Sequence, residues 1–68
     1  MKEKKYNFYV ECVYDDETEF HFNVEIEGTE SSVMAHLMMI TRGTLKASSA
    51  TTSTAYKEDG FPVVSYRK

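Results

Sequence analysis

The sequence predicts an α+β domain of the order ββαββ, a four-stranded antiparallel sheet in the spatial order 2-1-3-4 with one helix packed on one face. Three observations predict it. Two segments of the first half alternate apolar and polar residues with the period of a strand, and a middle segment repeats its apolar residues with the period of a helix. A tract of Ser, Thr and Ala then leads through a turn into a short apolar run. At 68 residues the chain is read as a single domain, residues 1 to 68, and a domain of this size buries only about 60% of the surface its unfolded chain exposes. A large enclosed active site is not expected on that scale.

From Tyr6 to Tyr14, the residues Tyr6, Phe8, Val10, Cys12 and Tyr14 alternate with Asn7, Tyr9, Glu11 and Val13. The run is rich in aromatic and β-branched types, which suit a pleated, half-buried surface. From Phe20 to Glu27, Phe20, Phe22, Val24 and Ile26 alternate with His21, Asn23, Glu25 and Glu27. The turn-prone acids between the runs, Asp15 and Asp16, join them as a hairpin. Even positions must pair with even ones, because a slip of one residue would turn one apolar set to the wrong face. That argument leaves a slip of two residues open.

Gly28-Thr29-Glu30-Ser31-Ser32 offers a break and then a capping residue, Thr29 or Ser31, with Glu30 placed near the positive end of the helix dipole. A helix of about three turns is predicted from there to Arg42-Gly43, a cationic last turn and a glycine stop. Val33, Leu37 and Ile40 lie on one row, and Met34, Leu37, Met38 and Thr41 on its neighbour. The stripe Ser32, His36, Met39 and Gly43 is the least apolar. One side should pack on the sheet, Met39 or Met34 is left for a partner, and two of Met34, Met38 and Met39 are expected in the core.

Ala47 to Thr54 contains nothing but Ser, Thr and Ala. A flexible linker of that composition would lead to another domain, yet only the short run Phe61 to Lys68 follows. The tract is therefore read as a strand, Lys46 to Lys57, joined through a turn at Gly60 to a last strand, Phe61 to Arg67. Pro62 removes a ladder donor and belongs on an edge or at an unpaired strand start. A helical crossover over the first strand then gives the order 2-1-3-4. Ala47 or Ala55 would let the helix approach closely, and the opposite face is expected to be open. It would show Asn7, Tyr9, Glu11, Val13, His21, Asn23, Glu25, Glu27, alternate Ser and Thr residues, and Tyr66.

The single Cys cannot form an internal disulfide, and the basic start Met1-Lys2-Glu3-Lys4-Lys5 lacks the apolar run of a leader, so a cytoplasmic location is expected. No stretch approaches the roughly 18 apolar residues of a membrane span. The net charge of −3 is unevenly distributed. Residues 1 to 30 hold three Lys against nine Asp or Glu, and residues 31 to 68 hold five Lys or Arg against two acids. An acidic first half disfavours a phosphate-tracking groove, and nucleic acid is not an expected partner.

Cys12, His21 and His36 are the only soft metal-ligand candidates, and the pleat separates Cys12 from His21. No metal site and no cofactor are expected, and Cys12 is read as a small core hydrophobe. No nucleophile elbow, phosphate loop or zinc-protease helix pattern occurs, so the chain is not expected to be an enzyme. The candidate interaction surface is Tyr9, Glu11, His21, Asn23, Glu25, Glu27, Met39 and Tyr66. The leading expectation is a non-enzymatic module that acts by self-association, as in a homodimer, or by docking on a larger assembly. One alternative is an inhibitor of the phage or mobile-element type, whose acidic hairpin occupies a basic nucleic-acid-binding site on its target. Another is single-stranded nucleic acid stacked on Tyr9 and Tyr66 of the open face.

Overall fold

The structure, a computed structural model, describes residues 3–68; Met1 and Lys2, where the leader reading begins, lie outside the described residues. The chain runs β1 (Lys4–Val13), β2 (Glu19–Gly28), α1 (Glu30–Ala47), β3 (Thr52–Lys57) and β4 (Pro62–Arg67). The four strands form one antiparallel sheet in the order β2-β1-β3-β4, with the helix on one face. This is the expected ββαββ architecture. The molecule measures 44 × 21 × 14 Å, a slab drawn out along the long β1–β2 hairpin.

The hairpin pairs even positions with even ones, Tyr6 with Ile26, Phe8 with Val24, Val10 with Phe22 and Cys12 with Phe20. A three-residue turn removes the two-residue ambiguity. Glu17 N–H donates to Tyr14 C=O (3.0 Å) and Tyr14 N–H to Thr18 C=O (2.9 Å). Asp16 locks the turn by accepting from the Thr18 hydroxyl (2.6 Å) and amide (3.1 Å), and those two bonds also hold its carboxyl below the usual range. Glu17 takes a left-handed φ of 71°, the position that such a turn usually gives to glycine.

Thr29 is the helix N-cap, its Oγ1 accepting from Ser32 N–H, and Glu30 sits in the first turn. Gly28 precedes it at φ 156°, where an added Cβ would lie 2.8 Å from Ser32 Oγ. Val33, Leu37, Thr41 and Leu45 form the buried row, spaced four apart. The helix does not stop at Gly43 as expected; it runs one turn further, to Ala47. Burying Leu45 contributes about 1.5–3 kcal/mol, which outweighs the roughly 1 kcal/mol that a mid-helix glycine costs. The real stop is Ser48, whose N–H donates to Thr44 C=O and whose Oγ donates to Leu45 C=O.

The Ser/Thr/Ala tract is consequently divided. Ala47 ends the helix as an exposed residue, Ser48 to Thr51 make the connection, and β3 begins at Thr52 rather than Lys46. Ala50 and Ala55 are completely buried, so close approach falls at Ala55 and not at Ala47. The core joins Phe8, Val10 and Cys12 of β1, Ile26 of β2, Val33, Leu37 and Leu45 of α1, then Ala50 and Ala55. Pro62 opens β4, which is an edge strand, and Gly60 takes the left-handed φ of 88° that the preceding turn requires. A bulge opposite Ala55 and Tyr56 leaves an extra residue in β4, and both Val63 and Val64 pack against the core.

Candidate functional site

The register arranges the open face as rows crossing the sheet. Asn23, Tyr9 and Tyr56 form one row; His21, Glu11, Thr54 and Ser65 the next; Glu19, Val13, Thr52 and Arg67 a third. Tyr9 is central, with its ring centroid 5.2 Å from that of His21 and 6.3 Å from that of Tyr56. The Tyr56 hydroxyl donates to Glu11 Oε1 at 3.4 Å, and the Thr54 and Ser65 hydroxyls share a bond of 2.9 Å. Loss of hydration, followed by the negative charge of Glu11, pushes the Tyr56 hydroxyl above its ordinary pKa. It therefore remains a proton donor at neutral pH.

A shallow depression of about 630 Å³ opens where Asn7, Tyr9, Glu11, Asn23, Tyr56 and Lys57 meet. Two aromatic faces beside a carboxylate suit a cationic side chain, through cation–π attraction and charge together. The β2 side of this face is acidic, because Glu19, Glu25 and Glu27 all project there. Cys12 lies on the other side of the pleat, buried, with Sγ 3.6 Å from Ser53 Oγ. Among the described residues, no three His, Cys, Asp or Glu side chains are placed to hold a metal ion together.

Six of the eight candidate residues, Tyr9, Glu11, His21, Asn23, Glu25 and Glu27, share this face. Tyr66 does not. It pairs with Ser53, the partner of Cys12, so it faces the helix, where the Arg42 guanidinium stands 5.8 Å from its ring centroid. Its expected place on the open face is corrected by a register that spacing within one short strand could not reveal. Met39 is 70% exposed on the helix surface turned away from the sheet, so it cannot join the other six in one contact.

Residues that the sequence reading passed over complete the exposed surface. Tyr56 was hidden at the end of the small-residue tract. Phe20 and Phe61 are 52% and 67% exposed, and Met38 is 44% exposed, so of the three helix methionines only Met34 is even partly buried. The expectation of two core methionines is therefore not met. Met34 lines a groove of about 480 Å³ with Tyr6, Val33, Phe61, Pro62 and Val63.

Along β2 the inward-facing residues go from Ile26, buried, through Val24 and Phe22, half-buried, to exposed Phe20. The helix starts beside Ile26 and leaves the far end of the strand uncovered. The 18-residue helix, about 27 Å long, crosses from β2 toward β3 and β4 and so moves away from the Phe20 end of β2. No helix among the described residues is long and apolar enough to cross a membrane. Comparison with protein-family models, with curated proteins and with solved structures finds no match for this chain.

Proposed function

We propose that the protein is a small non-enzymatic interaction module that docks on a protein partner. The observation that carries this reading is the set of large apolar side chains left exposed on the sheet flanks and on the helix. Phe20 lies on the β2 flank, Phe61 on the β4 flank, and Met38 and Met39 on the helix itself. Phe20 rests on Phe22 with ring centroids 5.8 Å apart and Phe61 lies under Lys57, and the rest of each ring is contact area open to a partner. Docking is preferred to self-association because the acidic β2 side of one copy would repel that of another.

Affinity capture with the wild-type chain and with Phe20→Ser and Met39→Ser variants tests the proposal, read together with sedimentation. A specific protein retained by the wild type and lost with one variant is the expected result. A chain that sediments as a monomer throughout the micromolar range and retains no protein overturns it.

A second reading has its own observation, since Glu11, Glu19, Glu25 and Glu27 share one face. On that reading the face occupies a basic nucleic-acid-binding site of a target. Charge reversal at Glu11, Glu25 and Glu27 distinguishes the two, because mimicry loses binding with steep salt dependence and apolar docking does not.

A further inference from the structure

β2 presents a ten-residue outer edge that no other strand covers among the described residues. The bond from Tyr14 N–H to Thr18 C=O makes those residues a hydrogen-bonded pair immediately beyond Val13 and Glu19. Such pairs alternate with non-bonded pairs along an antiparallel ladder. Phe20, Phe22, Val24 and Ile26 therefore direct N–H and C=O toward β1, while Glu19, His21, Asn23, Glu25 and Glu27 direct theirs outward. The side chains of the outward set lie on the acidic open face. Those between them lie on the helix side, where Phe20 is 52% exposed and Phe22 and Val24 are half-buried.

We propose that the β2 edge accepts a strand of a protein partner in which basic and apolar residues alternate. This rests on the docking reading above and names its partner. The incoming backbone bonds to the outward amides and carbonyls. Its basic side chains lie beside Glu19, Glu25 and Glu27, and its apolar ones extend over Phe20 and Phe22, the part of the sheet the helix leaves open.

β2 carries no proline, no bulge and no inward-facing charge, the usual protections of an edge. Its only protection is the row of carboxylates, and that protection depends on the partner's charge. A two-fold pairing with its own copy, centred on Asn23, sets Glu19 against Glu27 at both ends. A basic strand meets no such repulsion.

The test uses the full chain and synthetic peptides matched to the ten residues of β2. One alternates Lys and Val, one alternates Glu and Val, and one has the Lys–Val composition with its lysines in a block. Amide NMR with hydrogen exchange is expected to show the Lys–Val peptide shifting and protecting the outward positions Glu19, His21, Asn23, Glu25 and Glu27. The blocked peptide should bind at least about tenfold more weakly, and the Glu–Val peptide not measurably.

Asn23→Pro removes an outward donor but no bond to β1, so it should preserve the fold and weaken the Lys–Val peptide by at least about tenfold. The double variant Glu25→Lys/Glu27→Lys should weaken it by a similar factor of about ten, independently of any proline effect on folding. Equal binding of the alternating and blocked peptides, shifts confined to Tyr9 and Tyr56, or no binding of the Lys–Val peptide overturns the proposal. A protein captured equally by wild type and a folded Asn23→Pro chain overturns the edge site while leaving the docking reading intact; a wild-type chain that captures nothing overturns both.

Discussion

The two edges of the sheet solve the same problem differently. β4 is short, six residues, opens on Pro62 and carries the bulge that turns both Val63 and Val64 inward. Those features discourage any incoming strand, whatever its sequence. β2 is ten residues long, regular, and protected only by carboxylates on one face. One edge is closed by backbone geometry and the other by charge, and only the second kind of closure can discriminate between partners.

The largest effect expected from this contrast lies in how the helix covers the middle of the sheet and leaves the β2 flank bare. Leu37 is fully buried over the middle of the sheet, whereas Phe20 stands half in solvent at the end of β2. Leu37→Ala should cost about 3 kcal/mol in urea denaturation, because it removes a packed side chain and leaves a cavity. Phe20→Ala should cost about 1 kcal/mol or less, since most of its contact area is still exposed to water. Similar losses at the two positions would mean that the β2 flank is core, and the contrast between the edges would fail with it.

The middle-sized test separates the cover from the edge. Gly43 lies inside the helix, and a Cβ added there meets nothing within 4 Å. Gly43→Ala should therefore stabilise the fold by about 0.5–1 kcal/mol, a gain in helix propensity without new contacts. Because neither edge is touched, binding at β2 should not change. A stabilised chain with altered peptide affinity would show that what happens at β2 depends on global stability rather than on the edge.

Much of this arrangement was legible in the sequence, for reasons that differ by element. β1 and β2 each carry an unbroken alternation, so face and parity followed from period alone, and only the turn around Asp16 and Glu17 was needed to settle the register. Gly43 does not end the helix, although glycine marks helix ends by statistics, because the buried row continues to Leu45 and Ser48 supplies the cap. Tyr66 was misplaced because β4 is short and bulged, so no count from Pro62 could fix its face before its pairing with Ser53 was known. Periodicity does not say which methionines are buried, because a helix apolar around its girth still has only one sheet to lie on, and Met38 and Met39 fall outside that contact.

The smallest expected effect lies midway between the edges, at Tyr56, whose row runs through Tyr9 to Asn23 of β2. Partial dehydration first, and then the carboxylate of Glu11 with its 3.4 Å bond, raise the hydroxyl above its ordinary value of 10.0. The folded chain therefore holds this proton to higher pH than the unfolded chain does. Its contribution is fully present below pH 10.0 and is lost as pH rises from there through the folded pKa. Urea titrations in alkali should accordingly show wild-type stability falling more steeply above that pH than Tyr56→Phe, with the two slopes alike near neutrality. Tyr6, Tyr9, Tyr14 and Tyr66 remain in both chains, so they give the same background in each. If the slopes stay parallel into alkali, the Tyr56–Glu11 contact does not couple β3 to β1 across the open face.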